Sequence, residues 1–299
     1  MTIPKKIFYV WGANESKRFD VDFCIKTWQR VMPDYEIIEI NEDSKEYFDF
    51  QKELRNNKWF RTVYERKMYA YVSDYVRIKT LYDNGGIYLD TDVTTLKNFD
   101  CFLEEPAFVG MQDNDEDGDR HSLVEPAILG SVKHNEFLKK VLDFYKEDSI
   151  DNIWNKKIYN MPDIFNFLLE QNYEKQIYPA RAKQNIIKYN NISIYPEKYF
   201  IPYRYTETFS LKCLTPETYT VHWFGGSWLK PEVIHFLENK HLYSPEIIDE
   251  KYNDAQNSSS HNNFFENLFS IKNSLNKNHK IITILFIKFK ISRNKKRGY

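Results

Sequence analysis

Residues 85–93 read GGIYLDTDV: a glycine pair, a short apolar run, then two aspartates separated by one threonine. In an extended strand residues two apart share a face, which predicts that Asp90 and Asp92 project together while Leu89 and Thr91 point away. Two carboxylates on one buried face repel each other unless a positive partner joins them. A divalent cation is the simplest such partner. Hard oxygen ligands suit Mg2+ or Mn2+, ions that keep open positions for the phosphates of a bound nucleotide. A bare D-x-D also fits a plain polar turn, so the pair gains meaning from its surroundings. Just upstream, SDYVR sets Asp74 and Arg77 three residues apart, on one face of a predicted helix that runs into the glycine turn.

The elements around these residues must bring them together. IPKKIFYVW (3–11) reads as a strand, FDVDFCIKTWQRVM (19–32) as a helix closed by Pro33, and YEIIEI (35–40) as a second strand. This β-α-β order predicts a parallel sheet with crossover helices. The pattern over 62–86 predicts one long helix, with Gly85 in the left-handed position past its end and IYLDTDV as the next strand. AFVGMQ (107–112) and PAILGS (126–131) follow as strands, and residues 134–148 return to helix. The acidic pair would then sit at the carboxyl end of a strand, where open α/β sheets place ligands.

S-D-Y-x-R followed by L-Y-x-x-G-G-I-Y-L-D-T-D resembles the glycosyltransferases with a DXD sugar-binding region, a group that includes capsular polysaccharide transferases, yeast mannosyltransferases and, distantly, the clostridial glucosylating toxins. IPKKIFYVWG, TWQRVMPDYEIIEINED, PAILGSVKHNEFLKKVL and HWFGGSW extend the likeness over about residues 3–230, with Asn135 replacing the proline many relatives carry. The resemblance implies a GT-A fold, a Rossmann-like mixed sheet flanked by helices, acting on a nucleotide-diphosphate sugar with a divalent metal and retention of configuration. It implies that Val10 and Trp11 meet the nucleotide, that Asp74 and Arg77 hold sugar hydroxyls, that Asp90 contacts ribose or sugar, and that Asp92 ligates the metal. In HWFGGSW, His222 is then expected as a further metal ligand, with Ser227 and Trp228 donating to phosphate from a glycine-hinged lid. Retention through front-face attack lets the departing diphosphate take the acceptor's proton. A dedicated base is not required, and Glu125 and Asp113 are merely acids near the predicted face.

DNDEDGD (113–119) mimics the opening of a calcium loop, but its twelfth position is Val124 and the acid follows one residue late, between strands instead of helices. It reads as a solvated loop on the acceptor side. Three dispersed cysteines signal neither a zinc site nor a disulfide framework and fit a reducing compartment. Aromatic residues make up 17 % of the chain, which calls for a bulky core or aromatic-lined surfaces. The N-terminus has no signal-peptide pattern, so a cytoplasmic protein is expected.

The net charge of −1 hides an asymmetry: nothing acidic follows Glu266, whereas nine Lys or Arg do. Residues 1–243 read as the catalytic domain, and 244–299 as a polar linker with a basic amphipathic tail. IITILFIKFKI is too short to span a bilayer. Beside its basic cluster it fits an anchor lying on the inner face of the plasma membrane, with a packed terminal helix as the alternative. An acidic body without a recognition motif argues against nucleic acid. The expected activity is transfer of a hexose from a UDP-sugar to a surface polysaccharide or a lipid-linked oligosaccharide. A nucleotidyltransferase, or a sugar-binding protein without turnover, would share the acidic pair.

Overall fold

The computed structural model describes residues 1–12, 16–112, 123–147, 160–172, 185–204, 207 and 209–225, together with 269–273, 279–284 and 287–292. The opening β-α-β unit forms as expected: strand β1 (Lys6–Val10), helix α1 (Phe19–Val31) and strand β2 (Glu36–Ile40), with β1 and β2 parallel in the register Ile7↔Ile37. Helices α2 (Phe50–Asn56), α3 (Lys58–Glu65) and α4 (Tyr69–Asn84) lead to strand β3 (Gly86–Leu89), which lies parallel to β1 on its other side.

The single helix expected over 62–86 is two helices. α3 stops at Arg66, and Lys67 takes a positive φ of 56°. The Met68 amide then donates to the Val63 carbonyl and the Lys67 amide to that of Tyr64, the two bonds of a Schellman closure. That position usually carries glycine or asparagine, so the sequence ERKM gives no warning of a stop. Core packing imposes it: Trp59, Phe60 and Val63 of α3 and Val72, Tyr75 and Val76 of α4 are all buried in one cluster.

Strand β4 (Val93–Thr95) follows β3 after a turn. Then come β5 (Ala107–Gln112), β6 (Leu123–Ser131), α5 (Glu136–Glu147), α6 (Met161–Asn172), β7 (Ile187–Lys188), β8 (Ser193–Tyr195), α7 (Glu197–Phe200) and β9 (Thr220–His222). The main sheet runs β2-β1-β3-β6-β5-β8-β7. It is mixed, not purely parallel, because β6 is antiparallel to both β3 and β5. Helices pack on it to complete the Rossmann-like layering expected of a GT-A fold. The aromatic residues fill the interior: Phe48, Phe60, Trp59, Tyr75 and Tyr145 interlock around α4, and Phe99, Phe102, Phe108 and Phe200 form a second group.

The entry to β3 depends on its two glycines. Gly85 and Gly86 have φ of +69° and +121°, and a Cβ on Gly86 would lie 2.8 Å from the Phe8 ring and 3.0 Å from the Lys6 carbonyl oxygen. Only glycine lets β3 settle this close to β1.

Residues 1–241 and 242–299 form separate compact units. In the second, β10 (Phe269–Asn273), β11 (His279–Ile284) and β12 (Ile287–Ser292) make an antiparallel sheet, so strands stand where a terminal helix was one expectation. Apolar residues alternating with Lys and Ser suit strands as well as an amphipathic helix, and this stretch is β-branched-rich. The register pairs Ile271 with Ile282 and Ile282 with Phe289, and Lys272 with Ile281 and Ile281 with Lys290. Among the described residues no helix is long and apolar enough to cross a membrane.

Gly86→Ala combines a strained φ with overpacking, each worth about 1–3 kcal/mol. Its thermal midpoint is expected to fall by roughly 5–10 °C relative to the parent chain. An unchanged midpoint in differential scanning calorimetry would mean that β3 can move away from β1 freely.

Candidate functional site

β3 ends at Leu89, and the acidic pair lies in a turn beyond it instead of in the strand. The Asp90 amide donates to the Ala127 carbonyl, prolonging the β3–β6 contact by one residue, and the Val93 amide donates back to the Asp90 carbonyl across the turn. The two side chains therefore converge because the chain folds around Thr91, not because of strand alternation. The parallel register Phe8↔Tyr88 brings the ends of β1 and β3 to the same sheet edge. Val10 closes β1 there, and Trp11 follows with its amide bonded to the Ile40 carbonyl.

Helix α4 supplies the counter-charge. Arg77 is only 4 % exposed, and its Nη2 donates to Asp90 Oδ1 at 2.6 Å while Nη1 donates to the Pro126 carbonyl at 2.5 Å. The guanidinium carbon lies 4.3 Å from the centre of the Tyr88 ring, adding a cation–π contact. Asp74 stands farther off, 3.8 Å from the same nitrogen. Both terminal nitrogens of Arg77 thus have protein partners, and the residue orients Asp90.

The C-terminal block joins the site through backbone pairing. β9 runs antiparallel to β4, with Val93 opposite His222. This sets the His222 Nε2 3.3 Å from Asp92 Oδ1. The Trp223 amide donates to the Asp92 carbonyl at 2.9 Å, and the Gly225 amide to Asp92 Oδ2 at 2.6 Å. The indoles of Trp28 and Trp223 pin β4 through the Val93 carbonyl and the Thr94 hydroxyl. Sequence reasoning missed these two tryptophans and Tyr88, whose partners lie far along the chain. Ser227, Trp228 and the 113–119 acidic run, Asp113 included, lie outside the described residues.

Ligand atoms of Asp90, Asp92 and His222 all fall within 4.8 Å of one another. Two carboxylates and an imidazole are a donor set suited to Mn2+ or Mg2+, and the buried His222 Nδ1 has no hydrogen-bond partner among the described residues, so the residues fit a divalent ion. The electrostatics reflect the crowding of acids around Arg77 and His222. Burial, together with Asp92 and against the pull of Arg77, pushes Asp90 upward. Burial acts the same way on Asp92, but His222 and the Gly225 amide overcome it and hold that carboxyl at about 2. Burial lowers His222, yet Asp92, Glu125 and Asp90 raise it to about 9. Asp74 is pushed up to about 7, chiefly by burial, with Arg77 and the Met161 amide opposing. Glu125, on β6, is raised by burial and by Asp90 against His222 and Arg77.

At neutral pH the metal-free site therefore holds a protonated His222 against an ionised Asp92. A metal binding through His222 must displace that proton, so affinity rises with pH up to about 9 and levels off above it. Mn2+ titrations followed by electron paramagnetic resonance between pH 6 and 8 are expected to show about tenfold tighter binding per pH unit, a dependence flattened in His222→Gln. A pH-independent affinity in the parent chain would remove His222 from the ligand set.

A comparison with known families matches the segment that carries Asp74, Arg77, Asp90 and Asp92. Residues 19–109 match the family model described as glycosyltransferase sugar-binding region containing DXD motif. Inositol phosphoceramide mannosyltransferase 3 of Schizosaccharomyces pombe is 31 % identical over 141 residues, covering 47 % of this chain and 36 % of that protein. The chain thus matches about a third of the length of that curated relative. Among solved structures, PaToxG glycosyltransferase is 19 % identical with a TM-score of 0.44, over 57 % of this chain and 70 % of its own. The galactosyltransferase LgtC, in complex with donor and acceptor sugar analogs, is 11 % identical with a TM-score of 0.41, over 81 % of this chain and 98 % of its own. At such scores neither structure settles the fold, which rests on the chain's own sheet and helices. Residues 19–109 are thus similar to the glycosyltransferase sugar-binding regions containing a DXD motif, and Asp90-Thr91-Asp92 within them has the D-x-D spacing.

Proposed function

We propose that this chain is a metal-dependent, retaining glycosyltransferase that moves a hexose from a UDP-sugar to a surface polysaccharide or a lipid-linked oligosaccharide. The observation that carries the reading is the convergence of Asp90, Asp92 and His222 beside Asp74 and Arg77, all but His222 lying in the segment that matches a sugar-binding family. Mn2+ or Mg2+, held by Asp92 and His222 with Asp90 alongside, would neutralise charge developing on the departing diphosphate.

The chain's own groups have distinct tasks in this reading. Arg77 fixes Asp90 and is itself fixed by the Pro126 carbonyl, so Asp90 meets the donor in one orientation. Asp74 offers a carboxylate to paired sugar hydroxyls. Val10 and Trp11, at the neighbouring strand end, border the nucleotide, with the indole suited to stacking on a planar base. Ser227 and Trp228 follow Gly225, whose amide already bonds Asp92, and would close over the diphosphate as a lid. Front-face attack gives retention, with the acceptor's proton passing to the leaving diphosphate.

Two observations support a membrane-borne acceptor. The Schizosaccharomyces pombe relative is named for mannosyl transfer to a lipid, inositol phosphoceramide. The C-terminal segment adds nine Lys or Arg and no acid after Glu266, which favours an anionic leaflet by about 1 kcal/mol per charge near its surface. The protein would then work in the cytoplasm, peripherally on the inner face of the plasma membrane.

With Mn2+ and a panel of UDP-sugars, one donor is expected to be hydrolysed slowly, and that turnover to vanish with EDTA and to drop at least 100-fold in Asp92→Asn. Metal-independent release of UDP would contradict the assignment. In a flotation assay with anionic liposomes, removing residues 264–299 should abolish binding and spare donor hydrolysis; equal flotation of the truncated chain refutes the anchor.

A further inference from the structure

The register between β5 and β6 jumps from Val109↔Leu129 to Gly110↔Glu125, which leaves Pro126, Ala127 and Ile128 unpaired with β5. The bulge has a clear local cause, since Pro126 has no amide to give to a ladder. Its products all turn toward the acidic turn. The Pro126 carbonyl takes Arg77 Nη1, the Ala127 carbonyl takes the Asp90 amide, and the Ala127 amide donates to Glu125 Oε1 at 3.1 Å. Bulges commonly re-aim a side chain beside a site. Here the re-aimed side chain is Glu125, close enough for its charge to be felt by His222, Asp90 and Arg77. It is not one of the three groups that converge for a cation, and its Oε2 makes no hydrogen bond to a described residue.

We infer that Glu125 is a catalytic carboxylate, presented by the β6 bulge to the positive charge that develops on the transferred hexose. This deepens the proposed glycosyl transfer and rests on it. The bond from C1 to the diphosphate oxygen breaks with its electron pair leaving on that oxygen, and C1 and the ring oxygen share the resulting positive charge. Glu125 keeps its own electrons and proton state and forms no bond. The acceptor hydroxyl oxygen then bonds to C1, and its proton passes to the departed diphosphate. Two anchors make the carboxylate suitable: Oε1 is tied to the Ala127 amide and the backbone behind it is clamped by Arg77, so it needs no reorganisation as charge appears. The acids then differ in their surroundings: Asp90 and Asp92 converge with His222, whereas Glu125 stands outside that group with Oε1 on the Ala127 amide.

Glu125→Gln keeps an oxygen for the Ala127 amide and removes only the charge. In the full chain with Mn2+ and the donor that the parent hydrolyses, its kcat is expected to fall about 100-fold, with donor Kd by calorimetry within threefold and the thermal midpoint unchanged. Glu125→Ala should be at least as slow and should regain part of its rate in high formate, which returns a carboxylate to the gap. A Glu125→Gln kcat within threefold of the parent overturns the inference, as does a loss confined to donor affinity or an unfolded pair of variants. No turnover of any UDP-sugar by the parent chain overturns the proposed activity itself, and the inference falls with it.

Discussion

The buried pair between Arg77 and Asp90 is the interaction on which the site depends. Asp74, Asp90, Asp92 and Glu125 crowd one half-buried corner, and each feels at least one of the others as repulsion. A guanidinium that is 4 % exposed, with one terminal nitrogen on a carboxylate and the other on a carbonyl, holds that corner together. Losing one partner of such a pair costs about 3–5 kcal/mol, since the survivor is left buried and unpaired. The choice of arginine follows from geometry: a planar fork can serve Asp90 and Pro126 at once and lie over Tyr88, which an ammonium group cannot do.

Much of this was legible in the residues themselves. The first β-α-β unit, β5, β6 and α5 follow their hydrophobic periods closely, and the acidic pair with its upstream D-x-x-R marks the site. The reason given for the convergence of Asp90 and Asp92 did not survive: strand alternation ends at Leu89, and a turn does the work. Sequence patterns report faces of regular elements well, but a turn that stops a strand one residue early leaves no separate trace.

One other feature was hidden because tertiary packing overrode local preference. Lys67 adopts a conformation that glycine prefers because two aromatic-rich helices must fold back into one core. The mixed sheet, by contrast, was implied by the resemblance, and the structure bears it out with β6 antiparallel between β3 and β5. Pro126 was the available hint of the β6 bulge, since a proline inside an apparent strand points to an edge or an irregularity. What no local signal contained was the partner of Val93.

The pairing of β4 with β9 has a consequence for how the molecule comes into being. Thr94 and Trp223, joined by a hydrogen bond, are 129 residues apart, so closing that contact carries an entropic penalty of roughly 4 kcal/mol beyond a constant. During synthesis the two aspartates leave the ribosome long before the histidine does. A nascent chain therefore cannot bring His222 to the two aspartates until nearly all of the first compact unit has emerged, and their meeting marks the closure of that unit.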